Sequence, residues 1–340
     1  MANVVNVATA TALIMAAIET GIVPFMTGSP GIGKSSIYHS IAERGKLKVI
    51  DLRLSQCDPT DLNGYPTIVN GKACYLPFDT IPIMGDKVPD GHNGWMLLLD
   101  EFNSANAEVQ AASYKLVLDR MVGNHKIHPK VYVVCAGNLD TDNAIVNPMS
   151  SALYSRLMHL TLETDLKGWL QWANTNHIDH RICSFLQFSP DNFYTFKADQ
   201  IEDTYACPRT WKFTSDLLKH VGDNYQYIRP LLAGTISPGV SAAFLTFCDI
   251  YKELPTKADL LASPETVAMP TSPSTLFALT GCIASIADET SLEKLAKFID
   301  RMPMEFQAVT WRSMSARNPK VIQSPIFQKW ALKAGRDLWG

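Results

Sequence analysis

The sequence predicts an α/β domain with a five-stranded parallel sheet between helices, followed by an α-helical domain. Up to about residue 165, short runs rich in Val, Ile and Leu alternate with helical patterns. Continuous apolar strands that alternate with helices are typical of a parallel sheet covered on both faces. Beyond residue 165 the patterns are helical, and a chain of 340 residues is long enough for two domains.

Five strands are predicted in the first domain, at residues 22–27, 47–54, 95–100, 131–136 and 159–162. The clearest helical patterns between them cover 35–43 and 105–120, and the apolar run 11–18 indicates a helix packed on the core. Asn70-Gly71 predicts a tight hairpin between 67–69 and 73–75. Gly123-Asn124 predicts a second hairpin that leads into the fourth strand.

Helical patterns dominate the second part of the chain, and Ser, Thr, Asp and Pro residues mark several of the helix starts. The predicted helices cover 166–175, 178–188, 208–221, 228–232, 240–251, 273–287 and 291–299. Prolines at 255, 264 and 270 predict a loop-rich connection over 253–272. We therefore expect an α/β domain over 1–165, and a helical lid with a C-terminal helical region over 166–340.

The composition is that of an ordinary soluble globular protein, with 46% hydrophobic and 19% charged residues. The net charge of −3 and the pI near 6.2 argue against a protein that coats nucleic acid. The run 11–18 is too short for a membrane span and lacks the basic flank of a signal peptide. Seven cysteines without a CxxC pair favour reduced thiols and a cytoplasmic location. His177, His180 and Cys183 have a spacing that zinc could use, but no second ligand pair is near them in sequence.

A phosphate-binding loop is predicted where the first strand ends and a helix begins. The segment fits the pattern G-x-x-x-x-G-K-[ST] and has the strand and helix that this motif requires. Its glycines let main-chain N–H groups surround a phosphate, Lys34 supplies a mobile positive charge, and Ser35 offers a hydroxyl to Mg²⁺. A Gly/Pro turn that matches by chance is the alternative. The predicted nucleotide-binding residues are Gly28, Ser29, Pro30, Gly31, Ile32, Gly33, Lys34, Ser35 and Ser36.

Two carboxylates, Asp100 and Glu101, end the third predicted strand. Ligands of parallel sheets bind at the carboxyl ends of strands, so this pair is expected beside the phosphate loop. Asp100 would then hold Mg²⁺ together with Ser35, and Glu101 would orient and deprotonate the attacking water. The alternative is a solvated acidic turn. ATP and Mg²⁺ are therefore the predicted ligands.

The segment 99–105 (Leu-Asp-Glu-Phe-Asn-Ser-Ala), followed by Val109-Gln110-Ala111-Ala112, resembles the MoxR branch of AAA+ ATPases. That branch shows a D-E-[IF]-N-x-A segment and then a V-Q-x-A-L helix. The resemblance covers residues 5–220 and keeps the order of the motifs. It departs from the usual pattern at Ser104, Leu139 and Ser155, which weakens assignment to a subgroup.

The resemblance also implies roles for three further residues. Asn138 is similar to the sensor-1 residue, Arg156 to the arginine finger, and Arg209, in Cys207-Pro-Arg209-Thr, to the sensor-2 arginine. Each has an ordinary alternative: Asn138 could cap a turn, Arg156 could form a surface ion pair, and Arg209 could pack its stem at a helix start. With Glu101, these three are the predicted catalytic residues.

The resemblance implies a protein-remodelling ATPase that works as a ring, with six subunits, together with a partner that carries a von Willebrand A domain. Arg156 lies too far along the fold to reach its own nucleotide, so it would serve a neighbouring subunit. Tyr65 and Tyr75 on the first hairpin could grip a partner. A nucleic-acid-remodelling ATPase is the alternative, although the acidic pI and the lack of a basic-aromatic run count against it. A small-molecule kinase is a third class, and the two arginines and the helical domain argue against it.

Overall fold

The computed structural model describes residues 3–142, 146–199, 202–222 and 225–334, which form two compact units. The first unit comprises the chain up to Asp165 and also Lys197–Asp199. The second comprises Leu166–Phe196 and the described residues after 201. Across the helices that the structure describes, none combines the length and apolar character that a bilayer span needs.

The first unit is built on a parallel sheet with the strand order β1-β10-β2-β9-β6-β3. Its strands are β1 (Val4–Val5), β2 (Val23–Thr27), β3 (Leu47–Arg53), β6 (Gly94–Asp100), β9 (Val131–Gly137) and β10 (Leu157–Leu162). The sheet thus has six strands, whereas five were predicted. The additional strand is β1, whose two residues are too few to show a sequence pattern. The other five strands are the predicted ones, with their ends shifted by at most two residues.

The centre of this sheet is apolar on both faces, which is why its strands read as continuous hydrophobic runs. Residues 95–99 of β6 and 133–136 of β9 are all buried. The register pairs Thr27 of β2 with Gly137 of β9, and Leu99 of β6 with Cys135 of β9. The loops that follow β2, β6 and β9 therefore emerge at the same edge of the sheet, which we call the carboxyl edge.

Two antiparallel hairpins extend from the first unit and confirm the predicted ones. The first consists of β4 (Tyr65–Val69) and β5 (Lys72–Leu76), and the second of β7 (Met121–Val122) and β8 (His125–Lys126). Asn70 and Gly71 have φ angles of 52° and 72°. Two successive residues with positive φ are what a tight two-residue hairpin turn requires, and Asn-Gly tolerates this best.

Among its described residues, the first unit has five α-helices: α1 (Val7–Glu19), α2 (Lys34–Gly45), α3 (Pro59–Asn63), α4 (Ala107–Tyr114) and α5 (Ser151–Tyr154). The helix predicted over 105–120 is shorter and irregular. It begins after Asn106, whose side chain accepts a hydrogen bond from the N–H of Val109, as an N-cap does. After α4, the segment Lys115–Asp119 forms a π-helical turn that ends at Arg120.

In the described part of the second unit, every regular element is a helix. Its helices are α6 (Leu166–Thr175), α7 (His180–Phe188), α8 (Pro208–Val221), α9 (Tyr225–Ile236), α10 (Pro238–Ile250), α11 (Lys257–Ala262), α12 (Pro273–Ile286), α13 (Leu292–Ile299), α14 (Met304–Arg317), α15 (Lys320–Gln323) and α16 (Pro325–Ala334). Aromatic rings of Phe185, Trp211 and Phe244 pack together in its core. The segment predicted as a loop contains α11, because Thr256 and Asp259 form a capping box that starts a helix between the prolines.

A buried polar cluster joins three helices of the second unit. Asp179 caps α7 and binds Arg181 through two side-chain hydrogen bonds of 2.9 and 3.0 Å. Arg317 of α14 donates to the side chain of Asn174 at 2.9 Å and to the carbonyl of Ile178 at 2.7 Å. Burial raises the pKa of Asp179, but the hydrogen bonds and charge of Arg181 outweigh it, so the pKa is lowered. The cluster therefore holds an ionised carboxylate inside the helical unit.

Candidate functional site

The phosphate loop lies between β2 and α2, and its backbone has the conformation that the glycine pattern predicts. Gly33 has a φ of 101° and is the N-cap of α2, where no side chain accepts a hydrogen bond from the first turn of the helix. The helix thus presents N–H groups to the loop, as an anion-binding helix start does. A Cβ on Gly28 would lie 2.7 Å from the side chain of Ile32 and 3.0 Å from the carbonyl oxygen of Leu162. A side chain at position 28 would therefore displace Ile32 and crowd the Leu162 carbonyl, which favours glycine there.

Lys34 is the first residue of α2, and its side chain is 91% buried inside this loop. Its Nζ donates to the carbonyl oxygens of Gly28 at 2.6 Å and Ser29 at 3.1 Å. It also donates to Oδ1 of Asn138 at 3.3 Å. The positive charge is thus held where the loop would surround a phosphate, and a side-chain amide from another strand lies beside it.

Ser35 and Asp100 meet at the carboxyl edge. The Ser35 hydroxyl donates to Asp100 Oδ2 at 2.6 Å, and the N–H of Glu101 donates to Asp100 Oδ1 at 2.8 Å. A hydroxyl and a carboxylate in contact form the hard-oxygen pair that suits Mg²⁺. Among the described residues, no three His, Cys, Asp or Glu side chains are grouped so as to hold a metal ion. Mg²⁺ bound by Ser35 and Asp100 would thus need phosphate and water oxygens to complete its shell, which is the way Mg²⁺ commonly binds.

Glu101 has a left-handed backbone conformation, with φ 55° and ψ 35°. Left-handed backbone is uncommon for residues other than Gly, Asn and Asp, and it recurs at functional sites. Its carboxylate accepts a hydrogen bond from the hydroxyl of Ser55. Ser55 follows β3, and the register pairs Arg53 with Asp100, so the two loops lie side by side. No local sequence pattern indicates Ser55, because its contact with Glu101 depends on β3 lying beside β6.

Asn138 follows β9 and lies between the phosphate loop and the acidic loop. Its Oδ1 accepts from Lys34, and its Nδ2 lies 3.5 Å from the hydroxyl of Ser104. The main chain of Asn138 is bonded by the side chain of Asn103, a residue that the sequence presented only as part of a motif. Lys34, Ser35, Asp100 and Asn138 are therefore brought together at one edge of the sheet. Ser36 is also close in sequence, on the first turn of α2, but its side chain is exposed.

Arg156 lies at the opposite end of the strands from the carboxyl edge. It directly precedes β10, whose first residue pairs with Val23, whereas Thr161 pairs with Thr27 next to the phosphate loop. Four residues of strand separate these pairs, a distance of about 13 Å. Arg156 donates to the carbonyl of Ala152 at 2.9 Å. It is exposed and lines a groove of about 400 Å³ with Ile22 and Asp119, so the structure does not bring it to Lys34.

Arg209 belongs to the helical unit and is the second residue of α8. The helix begins at Pro208, and the side chain of Thr210 accepts from the N–H of Cys207 at 2.8 Å, which caps the start. The side chain of Arg209 is exposed.

The comparisons with known proteins concern the first unit most directly. Residues 24–157 match the family described as AAA domain (dynein-related subfamily). This span runs from β2 to the start of β10 and contains the phosphate loop, the acidic pair, Asn138 and Arg156. No curated protein sequence is similar enough to count as a relative.

Several solved structures are distantly similar. NtrX from Brucella abortus in complex with ADP is 13% identical, with 97% of this chain and 68% of that chain covered and a TM-score of 0.38. The RuvB Holliday junction branch migration motor of Thermotoga maritima is 17% identical, with 85% and 84% covered and a TM-score of 0.36. A putative ATPase from Cytophaga hutchinsonii is 14% identical, with 97% and 88% covered and a TM-score of 0.33.

At these scores the likenesses decide nothing about this chain, whose assignment rests on its own topology and on the family match. A parallel sheet flanked by helices carries the phosphate loop after one strand and the acidic pair after another. A helical region follows this unit in the chain. The chain therefore has the AAA+ P-loop NTPase fold, and the match to the AAA domain family covers residues 24–157 of it.

Proposed function

We propose that the protein is an AAA+ ATPase that uses Mg²⁺-dependent ATP hydrolysis to remodel a protein partner. One observation carries this proposal: two side-chain contacts, Lys34 with Asn138 and Ser35 with Asp100, lie at the same edge of the sheet. These are the groups that in-line transfer of a phosphoryl group to water requires. An acidic turn formed by chance would not contact the hydroxyl that follows the lysine.

Each residue at this edge has a distinct role in the proposed reaction. The N–H groups of the loop and Lys34 bind the β and γ phosphates, and Ser35 and Asp100 hold the metal. When bound, Mg²⁺ neutralises charge on the phosphate oxygens. Glu101 orients the attacking water and accepts its proton, and Asn138 contacts the γ-phosphate and that water.

A ring of identical subunits is part of the proposal. About 13 Å of strand β10 separates Arg156 from the phosphate loop. Arg156 is exposed, so its guanidinium is available to a nucleotide bound by another copy. An arginine supplied by a neighbour stabilises charge in the transition state. A contact between the carboxyl edge of one subunit and the Arg156 side of the next is heterologous, and such contacts form a ring when the rotation between subunits closes. Six subunits follow from the resemblance to MoxR-type ATPases, as does the closing movement of a helical lid with Arg209.

The partner surface that we propose is the first hairpin, β4–β5. Tyr65 and Ile68 are 62% and 76% exposed, and Tyr75 and Leu76 are exposed as well. A two-stranded hairpin with apolar side chains exposed on both faces gains stability when another protein covers it. The resemblance to MoxR-type ATPases suggests a partner with a von Willebrand A domain. The net charge of −3 makes a nucleic-acid client the weaker candidate.

The test is the Glu101→Gln variant, which keeps the shape of the side chain but removes the base. ATP hydrolysis should fall by about 10²- to 10⁴-fold, the usual contribution of a general base, while ATP affinity stays within about 2-fold. Steady-state phosphate release and equilibrium binding of a fluorescent ATP analogue measure the two quantities. Affinity capture with the variant in ATP should retain the partner more strongly than the wild type does.

The control is Glu108→Gln, which changes an exposed glutamate on α4. It should hydrolyse ATP at the wild-type rate. Equal turnover in wild type and Glu101→Gln would show that Glu101 is not the base. Stimulation of turnover by DNA rather than by a captured protein would point to the nucleic-acid alternative.

A further inference from the structure

We propose that Asn103 is a positioning residue for hydrolysis, which holds Asn138 against the phosphate loop by clamping its main chain. The inference rests on the proposed function, because it gives Asn103 a role in the same site. Asn103 touches none of Lys34, Ser35 or Asp100 through a described hydrogen bond. It acts through Asn138.

The clamp consists of two reciprocal hydrogen bonds. The N–H of Asn138 donates to Asn103 Oδ1 at 3.0 Å, and Asn103 Nδ2 donates to the carbonyl oxygen of Asn138 at 2.8 Å. One side-chain amide thus satisfies both main-chain groups of Asn138, as a neighbouring strand would. Because β9 ends at Gly137, no strand partner is assigned at position 138. The Asn103 amide extends the ordered pairing of the chain by one residue.

The side chain of Asn103 is fixed in this position by packing. It is 94% buried, and it lies directly over Gly137. A Cβ at position 137 would overlap Asn103 Oδ1 and would also lie 2.7 Å from the ring of Phe25. The residue before Asn138 is therefore glycine because the Asn103 amide occupies the space of a side chain.

The other end of the clamp is anchored in the acidic loop. Asn103 lies in the short turn Phe102–Ser104, and the N–H of Ser104 donates to the carbonyl of Glu101 at 2.9 Å. The carbonyl of Asn103 accepts from the N–H of Asn147 at 2.7 Å. The clamp thus joins the loop that carries Glu101 to the loop that carries Asn138.

The hydrogen-bond distances indicate that the main chain of Asn138, more than its own side-chain contacts, fixes the position of the Asn138 amide. Its own side-chain contacts are long, at 3.3 Å to Lys34 and 3.5 Å to Ser104. Hydrogen bonds of this length are weak and direct a side chain poorly. The clamp bonds, at 2.8 and 3.0 Å, have ordinary length. Loss of the clamp should therefore displace the amide while leaving the phosphate loop intact.

The kinetic test is a double-mutant cycle with Asn103→Ala and Asn138→Ala. A displacement of about 1 Å at a reacting centre can lower turnover by about 10²-fold, so Asn103→Ala should reduce kcat about 10- to 100-fold with ATP affinity within about 3-fold. In the Asn138→Ala background, Asn103→Ala should change kcat by less than about 2-fold, since residues that act as a unit are not additive. Losses that multiply in the double variant would overturn the role through Asn138.

A second measurement needs no nucleotide and separates this inference from the proposed function. Hydrogen–deuterium exchange of the peptide that spans residues 131–142 reports the N–H of Asn138, which Asn103 protects. In Asn103→Ala this peptide should take up about one more deuteron at short times. Unchanged uptake would overturn the clamp even if the variant hydrolysed ATP slowly.

The matched control is Asn174→Ala, which removes a buried asparagine with a comparable number of hydrogen bonds from the helical unit. It should lower the melting temperature without changing the uptake of residues 131–142. If it increased that uptake as much as Asn103→Ala does, the effect would be general destabilisation and the clamp would be refuted. A wild type that lacks Mg²⁺-dependent hydrolysis would refute the proposed function, while the exchange measurement would still decide the clamp.

Discussion

Polar side chains are buried in both units, but they bond to different kinds of partner. In the α/β unit, Lys34, Asp100 and Asn138 lie near the carboxyl ends of three separate strands. Lys34 donates to Asn138, and Asp100 accepts from the Ser35 hydroxyl. In the helical unit, Asp179 and Arg317 cap or join helices and have an ion-pair or main-chain partner within 3 Å. The first group joins residues at the carboxyl edge of the sheet, whereas the second completes helix ends and helix contacts.

This difference predicts whether a substitution changes catalysis or stability. Groups that meet at a sheet edge can change partners when a ligand binds, so their loss should alter chemistry more than stability. Groups that complete helix ends and helix contacts have no such freedom, so their loss should alter stability. Four predictions test this contrast, in order of decreasing effect.

Arg156→Ala should give the largest effect, although Arg156 lies outside the cluster at the carboxyl edge. Turnover of the purified assembly should fall by about 10³-fold or more, because an arginine supplied by a neighbour contributes about 10³–10⁵ in rate. ATP affinity should stay within about 2-fold. Phosphate release by subunits mixed with Glu101→Gln should exceed that of either variant alone, since each supplies what the other lacks.

Arg44→Ala is the control for this prediction, because Arg44 is an exposed arginine in the last turn of α2. It should leave turnover unchanged. Wild-type turnover of the Arg156→Ala assembly would show that Arg156 has no catalytic part.

Asp179→Ala should destabilise the fold by about 3–5 kcal/mol, because it removes both the buried carboxylate that pairs with Arg181 and the N-cap of α7. Urea unfolding followed by tryptophan fluorescence measures this loss, and turnover per folded molecule should not change. The exposed pair Lys212–Asp216, 2.7 Å apart, is the control. Asp216→Ala should cost less than about 1 kcal/mol, and an equal loss in both variants would contradict the prediction.

Acid should destabilise the helical unit through His180. Burial lowers the pKa of His180 to about 4, although the adjacent Asp179 favours the protonated form; the charges of Arg317 and Arg181 lower it further. In the unfolded chain the pKa is about 6.5, so between pH 6.5 and 4 the unfolded chain binds a proton that the folded protein excludes. The free energy of unfolding should therefore decrease, by up to about 3 kcal/mol, as the pH falls through this window.

His180→Asn tests this assignment, because asparagine has no ionisable group that could bind the proton. The dependence on pH between 6.5 and 4 should flatten in His180→Asn but persist in His92→Asn, where an exposed histidine is changed. The lowered pKa of Asp179 acts at lower pH, since its stabilisation is lost only below about 3.8. An unchanged slope in His180→Asn would assign the acid sensitivity to other groups.

Ser55→Ala should give the smallest of the four effects, and it is the one variant expected to increase turnover above the wild-type rate. The Ser55 hydroxyl bonds the carboxylate of Glu101, so it competes with water for the proposed base. A hydrogen bond contributes about 1 kcal/mol net, so its removal should raise turnover by up to about 5-fold. Ser40→Ala, at an exposed position of α2, should have no effect. A decrease in turnover would mean that Ser55 instead holds Glu101 in its working position.

Local pattern was sufficient for most of the secondary structure and for the phosphate loop. The five predicted strands and both hairpins needed only apolar runs and turn residues such as Asn70-Gly71, because strand burial and positive φ leave direct traces in composition. The short strand Val4–Val5 and helix α11 were missed, the first because two residues carry no period and the second because its prolines concealed a capping box.

The sequence by itself predicted which residues would bind phosphate and magnesium, since glycine, lysine, hydroxyl and carboxylate at this spacing are chemical requirements of the ligand. Only the tertiary structure decided their neighbours. The contacts of Ser55 with Glu101 and of Asn103 with Asn138 join residues 46 and 35 positions apart. The position of Arg156 at the opposite end of the strands depends on strand order and register in the same way. Such contacts follow from which strands lie side by side, and no local pattern encodes that.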